Sequence, residues 1–233
     1  MKKYYKSLNL IIAVVFSGTL AVSCLDTDDQ PNQNQNPRGS VAFANFSPGT
    51  SNLKFHSGGE PIFNNSVNYG QYYNTLWNGE VGIRQITVNS GSTPLDTLNL
   101  TIGMDRFYSV FAVNTPNQTE LVSFEENFIV PGSGKAAIHF YQLSSDAPNL
   151  KVAIAGETAN LGTYLFKQSS NYMEVNEVLN KRMFLIDNST SDTLLSKFVT
   201  FNNGKVYSVV AKGLVNTNDN TQKLDIQIIP YNL

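Results

Sequence analysis

The strongest constraint on this fold is a stretch of sequence that occurs twice. Residues 43–55 read FANFSPGTSNLKF, and residues 140–152 read FYQLSSDAPNLKV. A shorter match follows in the same order, because residues 108–110 and residues 207–209 both read YSV. The repetition predicts two copies of one structural unit, residues 40–132 and 133–233, joined by a linker that contains Pro131 and two glycines.

Both copies read as short strands. Apolar and polar residues alternate around Phe43 and Leu53, as they do around Phe140 and Leu150, and these four residues are expected to face a core. Turn-forming residues separate the strands, and no segment shows a convincing helical period. The 14 phenylalanines and 11 tyrosines suit the pleated surface of a sheet. The pattern predicts an all-β protein made of two tandem β-sandwiches.

Residues 1–23 have the plan of a signal peptide. Lysines at positions 2, 3 and 6 precede an apolar run from Leu8 to Val15, and small residues lead to Cys24. The apolar run is shorter than the roughly 20 residues that a membrane-spanning helix needs. Cys24 is the only cysteine in the chain, and cleavage before it would make it the first residue.

The segment around Cys24 resembles a bacterial lipobox, although Ala21 stands where the usual pattern has leucine. The resemblance implies acyl chains on Cys24 that anchor the protein to a Gram-negative outer membrane. Acidic residues at positions 26, 28 and 29 resemble the surface-export signal of Bacteroidetes lipoproteins, which implies display on the cell exterior; a periplasmic orientation is the alternative. Residues 24–39 are predicted to form a disordered tether, because residues 30–39 lack aliphatic and aromatic side chains.

The start of the second copy resembles the family called domain of unknown function 4397. That family has an apolar strand, then Ser-Pro-Asp-Ala-Pro, then a second apolar strand. Asp146, Ala147 and Pro148 match this motif, whereas Ser145 replaces its first proline, and residues 49–51 of the first copy depart from it. The resemblance covers both copies, roughly residues 40–230, and implies tandem immunoglobulin-like sandwiches. It implies no catalytic residue and no ligand.

The composition narrows the possible chemistry. A formal net charge of −2 gives no electrostatic footprint for nucleic acid, so no nucleic-acid partner is expected. A single cysteine excludes an internal disulfide. The two histidines, His56 and His139, do not recur between the copies, and no spacing matches a metal site or a nucleophile with its base. We therefore expect no catalytic activity, no cofactor and no metal, and interpret Glu125 and Glu126 as solvated charges.

One aromatic cluster is a candidate ligand site. Tyr69, Tyr72, Tyr73 and Trp77 occur among several asparagines. Aromatic faces stack on sugars or anchor protein partners, and amides supply directional hydrogen bonds. The cluster is therefore a candidate site for a glycan or a protein ligand. The alternative is that these rings belong to the core and to the edge of a sandwich.

Two Asp-Thr-Leu triplets are candidate modification sites. Thr97 and Thr193 lie in triplets that resemble the O-glycosylation acceptors of exported Bacteroidetes proteins, although Asp and Thr are also ordinary residues in a turn before a strand. Taken together, the sequence predicts a non-catalytic, lipid-anchored envelope protein, displayed for interaction or adhesion or serving a structural role. The alternative is a carbohydrate-binding accessory lipoprotein of a glycan-uptake system.

Overall fold

The computed structural model describes residues 36–157 and 161–231, and these residues confirm the all-β sandwich prediction. They form seventeen strands and one short 3₁₀ turn, Pro116–Gln118, and they contain no α-helix. No helix in this part of the chain is long and apolar enough to cross a membrane. The predicted signal peptide, the lipidation site at Cys24 and most of the predicted tether lie outside the described residues.

The first sandwich consists of eight strands in two four-stranded sheets. One sheet has the order β4-β1-β7-β8, and the facing sheet has the order β3-β2-β5-β6. The strands are β1 (Arg38–Asn45), β2 (Leu53–Ser57), β3 (Glu60–Pro61), β4 (Trp77–Glu80), β5 (Gly82–Ser90), β6 (Thr93–Ile102), β7 (Phe107–Val113) and β8 (Glu120–Glu125). The central strands β1 and β7 run parallel, and the other pairings are antiparallel.

The second sandwich repeats this arrangement. One sheet has the order β12-β9-β16-β17, with β13 also paired to β9, and the facing sheet has the order β11-β10-β14-β15. The strands are β9 (Lys135–Gln142), β10 (Leu150–Ile154), β11 (Thr163–Tyr164), β12 (Gln168–Ser169), β13 (Met173–Asn176), β14 (Val178–Asp187), β15 (Thr193–Phe201), β16 (Val206–Lys212) and β17 (Asp225–Tyr231). As in the first sandwich, the two central strands β9 and β16 are parallel.

Equivalent hydrogen bonds recur in the two sandwiches. The Tyr108 hydroxyl accepts a hydrogen bond from the backbone N–H of Gly103 at 3.0 Å. The Tyr207 hydroxyl accepts one from the backbone N–H of Asn202, also at 3.0 Å. Each tyrosine therefore ties the start of a central strand to the loop that precedes it, as in the tyrosine corner of other sandwiches. The recurring Tyr-Ser-Val sequence encodes this contact.

Each sandwich has its own apolar core. Phe43 and Leu53 are buried in the first core, and Phe140 and Leu150 are buried in the second, as the alternation predicted. Burial of each such side chain contributes about 1.5–3 kcal/mol relative to exposure. The duplicated stretch is therefore a core-packing signature of both sandwiches.

A third apolar cluster joins the two sandwiches. It brings together residues from the outward faces of the sheets that contain β1 and β9: Ala44, Phe46, Phe111, Val113, Tyr141, Leu143, Val210 and Ile229. The central strands are therefore buried on both faces, and nearly every residue of β7, β9 and β16 is buried. Continuous burial is what strands covered on both faces require. We call this contact surface the junction.

The first strand begins two residues before the boundary expected at residue 40. Arg38 pairs with Glu80, and Gly39 pairs with Gly79, so the end of the predicted tether belongs to the sheet. A Cβ atom at Gly39 would lie 2.6 Å from the carbonyl oxygen of Gly103, which leaves no room for a side chain. The polar composition of residues 30–39 did not predict that β1 starts at Arg38, because backbone pairing rather than side-chain burial holds Arg38 and Gly39 in the sheet.

Candidate functional site

The predicted aromatic cluster borders an open groove on the first sandwich. The groove has a volume of about 670 Å³ and lies between two parts of the segment that connects β3 to β4. No charged residue lines it. The lining consists of amide, hydroxyl, aromatic and small side chains: Phe63, Asn64, Asn65, Ser66, Val67, Gly70, Gln71, Tyr72, Tyr73, Asn74 and Thr75.

Backbone hydrogen bonds to β1 hold one wall of the groove in place. The N–H of Gly70 donates to the Asn45 carbonyl oxygen at 2.7 Å, and the N–H of Tyr73 donates to the Phe43 carbonyl oxygen at 3.0 Å. The N–H of Asn45 donates to the carbonyl oxygen of Gln71 at 2.9 Å. Gly70 has a φ of +78°, a conformation in which glycine is favoured because it has no Cβ. The wall therefore behaves as a short extension of the sheet edge.

Two of the four predicted aromatic residues line the groove. Tyr72 has 38% of its surface exposed, so its ring is available to a ligand. Tyr73 is half-buried, packs against Phe63 with 4.2 Å between ring centroids, and donates its hydroxyl hydrogen to the Asn65 carbonyl oxygen. Burial raises the pKa of Tyr73, so the phenol stays neutral. Tyr73 therefore forms part of the packed wall of the groove, and Tyr72 presents an exposed ring to it.

The other two aromatic residues lie elsewhere. Trp77 is half-buried in β4 and packs against the first core, 6.3 Å from Phe43 between ring centroids. Tyr69 contacts the second sandwich, where the Lys212 ammonium lies 4.5 Å from the centre of its ring. Desolvation and the nearby carboxylate of Asp225 raise the pKa of Tyr69. The structure therefore places Tyr72 and Tyr73 together at the groove and separates Tyr69 and Trp77 from it.

The two candidate O-glycosylation sites are both exposed. Thr97 lies in the edge strand β6, with its hydroxyl 3.2 Å from that of Thr87. Its neighbour Asp96 accepts a hydrogen bond from the backbone N–H of Leu121 at 2.7 Å. Thr193 is the first residue of β15. Both threonines are accessible to a modifying enzyme, and Asp96 also has a structural role.

The Asp-Ala-Pro motif also has a structural role. The Asp146 carboxylate accepts hydrogen bonds from the backbone N–H groups of Val215 and Asn216, at 2.7 and 2.8 Å. It thereby fastens the turn after β9 to the loop after β16. The equivalent position in the first sandwich is Gly49, and a Cβ atom there would lie 3.0 Å from Pro116. This contact and the φ of +80° at Gly49 disfavour an aspartate at that position.

A buried polar cluster at the junction was not predicted from the sequence. Glu126, in the linker after β8, has 5% of its surface exposed, which corrects the expectation that it is a solvated charge. Its carboxylate accepts hydrogen bonds from the hydroxyls of Tyr141 and Tyr172, the latter at 2.8 Å. The same carboxylate lies 3.0 Å from Nδ1 of His139, whose side chain is also buried. Three donors from the second sandwich therefore compensate one buried carboxylate.

Burial and nearby charges shift the pKa values of the side chains in this cluster. Desolvation tends to raise the pKa of Glu126, but the hydrogen bond and positive charge of His139 act against it, and the pKa is lowered overall. Burial and the Glu126 charge raise the pKa values of Tyr141 and Tyr172. The same two effects raise the pKa of Tyr231, which lies beside the cluster, to about 12. The carboxylate is thus ionised and the phenols are neutral at neutral pH.

The described residues contain no group of three or more His, Cys, Asp or Glu side chains that could hold a metal ion. His139 Nε2 is buried and has no hydrogen-bond partner among these residues. A nucleophile–base pair requires a hydroxyl or thiol within hydrogen-bonding reach of the base. No such group contacts Nε2 in this part of the chain.

Comparison with known proteins identifies one domain family. The model of the family "Domain of unknown function (DUF4397)" matches residues 39–153, which contain the first sandwich without Arg38, the strand β9, and β10 without its last residue, Ile154. This match confirms the resemblance over those residues. No curated protein matches the chain.

One similar solved structure is the crystal structure of CBMbc (family CBM26) from Eubacterium rectale Amy13K in complex with maltoheptaose. It shares 9% sequence identity, covers 83% of this chain and 97% of that chain, and has a TM-score of 0.25. This similarity is too low to transfer a ligand or a site.

Proposed function

We propose that this chain is a non-catalytic, lipid-anchored protein of a Gram-negative outer membrane that faces the cell exterior and binds a ligand through the groove of its first sandwich. The observation that carries the proposal is the uncharged lining of the groove, in which the exposed ring of Tyr72 lies among amides and hydroxyls. The second sandwich, as a further copy of the same family domain, supports the first through the junction.

The anchor in this proposal rests on Cys24 and the basic, apolar segment before it. Several acyl chains give stable anchoring where a single chain gives only marginal binding. Labelling with a radioactive fatty acid should mark the wild-type protein and not the Cys24→Ser variant. Added protease should degrade the protein on intact cells; protection until the outer membrane is opened would place it on the periplasmic side instead.

The groove favours a glycan over a charged ligand. Sugars present apolar faces to aromatic rings and hydroxyls to amides, and they need no counter-charge. The volume of about 670 Å³ lies within the 300–1,000 Å³ range that is typical of small-molecule sites. Carbohydrate binding in a glycan-uptake system is therefore the specific candidate, and adhesion through a protein ligand is the broader one. Neighbouring genes for an outer-membrane transporter and glycosidases would favour the specific candidate.

The experiment uses the full chain on a glycan array, followed by calorimetry on each glycan that binds. Tyr72→Ala should weaken binding about tenfold, which corresponds to about 1.4 kcal/mol. Phe198→Ala is the matched control, because Phe198 is an aromatic residue with 55% of its surface exposed on the second sandwich. Equal affinities for the wild type and Tyr72→Ala would reject the groove as the site. Absence of any glycan ligand would reject the carbohydrate-binding candidate.

A further inference from the structure

A second cavity lies at the junction, away from the groove. Its volume is about 340 Å³, within the range of small-molecule sites. One wall comes from the end of β8 and the linker, with Phe124, Asn127 and Ile129. The other wall comes from the second sandwich, with His139, Asn171 and Tyr172.

The segment that lines this cavity is equivalent to one wall of the groove. Ser169 pairs with Tyr141 as Tyr72 pairs with Ala44, so Ser169 holds the place of Tyr72 in the repeated architecture. The backbone N–H of Ser170 donates to the Phe140 carbonyl oxygen, as the N–H of Tyr73 does to that of Phe43. Two serines thus replace two tyrosines, and the smaller side chains leave space beside His139.

The hydrogen bonds around His139 determine which kind of group can bond to its unpaired ring nitrogen, Nε2. Nδ1 lies 3.0 Å from the carboxylate of Glu126 and 2.8 Å from the hydroxyl of Tyr141. The Tyr141 hydroxyl already donates to Glu126, and a carboxylate can only accept. Nδ1 must therefore carry a hydrogen. Nε2 has a free lone pair when the imidazole is neutral and carries a second hydrogen when it is charged.

Nε2 of His139 is an unsatisfied buried group that belongs to a residue lining the cavity. It is buried and has no partner among the described residues. An unpaired buried polar group is costly, so a ligand that pairs with it gains affinity. A hydroxyl is suited to this position in either state of the ring, because it donates to the lone pair of neutral imidazole and accepts from the N–H of imidazolium.

The charges near the cavity disfavour an anion, and they do not call for a cation, because Glu125 is paired with Arg106 and Glu126 already has three donors. Glu125 lines the cavity and Glu126 lies next to it, whereas no lysine or arginine is among the lining residues. An anion would meet these carboxylates without a compensating cation in the wall. Ser169, Asn171 and Asn127 instead offer uncharged donors and acceptors for further hydroxyls.

We propose that the cavity beside His139 is a second binding site, separate from the groove, for a small neutral molecule with several hydroxyl groups, one of which bonds to His139 Nε2. A polyol or a single sugar ring has this chemistry. The proposal does not depend on the function of the groove, because the two cavities have no lining residue in common.

The test uses nitrogen-15 NMR on the full chain labelled at histidine. The chain has two histidines, so His56 on β2 serves as an internal reference. Glycerol, glucose and galactose are the probes, and ethylamine is a control without a hydroxyl. We expect a saturable shift of the His139 Nε2 signal with at least one hydroxylated probe, and no change at His56 or with ethylamine.

Two variants test the location. Asn171→Trp should fill the cavity from an exposed position and abolish the shift, whereas Asn218→Trp, at an exposed asparagine elsewhere, should leave it unchanged. If Asn171→Trp fails to fold, Asn127→Trp fills the cavity from the opposite wall. The proposal is overturned if no hydroxylated probe shifts the signal, which is the result for a cavity that holds water alone. It is also overturned if ethylamine shifts the His139 Nε2 signal as much as the hydroxylated probes do. A shift of the same size in a folded variant whose cavity is filled by tryptophan would overturn it as well.

Discussion

Replacement of Glu126 by alanine should strongly destabilise the protein, because this carboxylate accepts hydrogen bonds from three donors at the junction, two of them on buried side chains. The hydroxyls of Tyr141 and Tyr172 would lose their acceptor, and the Nδ1 hydrogen of His139 would keep only the Tyr141 hydroxyl oxygen, at 2.8 Å. Each buried donor left unpaired costs about 1–3 kcal/mol, and removal of one partner from a buried ion pair costs about 3–5 kcal/mol. Water from the adjacent cavity can reach Tyr172, so we expect the loss to be about 3–5 kcal/mol rather than the sum of three donors.

The neighbouring residue provides a matched control. Glu125 forms an exposed ion pair with Arg106 at 3.2 Å, and such pairs contribute about 0–1 kcal/mol. Equilibrium unfolding in urea should therefore separate Glu126→Ala from Glu125→Ala by at least about 2 kcal/mol in the free energy of unfolding. Glu126→Gln, which keeps the volume and removes the charge, should fall between the wild type and Glu126→Ala. Equal stabilities of the two alanine variants would refute the assignment of Glu126 as the buried anchor of the junction.

Three further predictions concern stability. The folded-state pKa of Glu126 is lowered from its ordinary value of 4.5, so the stability that it contributes is present above that value and is lost as the pH falls below it; the gap between the wild type and Glu126→Ala in urea should narrow in acid. Tyr108→Phe and Tyr207→Phe should each cost about 0.5–1.5 kcal/mol in the same assay, and no loss in either would exclude the repeated hydroxyl bond as a structural contact. Asp146→Ala should cost about 1 kcal/mol and increase amide hydrogen exchange at residues 215 and 216, whereas unchanged exchange would contradict the role assigned to the carboxylate.

The inward-facing half of the fold was predictable from the sequence, and the outward-facing half was not. Period-two alternation identifies Phe43 and Leu53 as core residues, because that signal is local to each strand. Whether the opposite face meets water or another sheet depends on contacts between the two copies, so alternation says nothing about Ala44 or Tyr141. The available signal was the apolar run of residues 136–141 in β9, interrupted only by His139, which is typical of a strand covered on both faces.

The candidate sites were also predictable from the sequence only in part. An aromatic cluster in the sequence located the groove, but the loop geometry decided that Tyr72 lines it and that Trp77 packs on the core. Glu126 gave no local signal, since carboxylates are mostly exposed and its partners come from distant segments. His139 differs from its counterpart Ala42 in the first copy, so the difference between the copies was the only indication of the cavity beside it.

The position of β1 determines how a pulling force would cross the molecule. The groove wall is bonded to the far end of β1, at Phe43 and Asn45, and the segment that leads to the proposed anchor joins the same strand at Arg38. Tension between a ligand in the groove and the proposed membrane anchor would therefore pass along one strand. That strand is held by β4 on one side and β7 on the other, so its cross-strand hydrogen bonds would be strained together in shear rather than broken one after another. Force spectroscopy with handles at residues 36 and 72 should show a single high-force rupture, and a series of small steps would contradict this mechanical role.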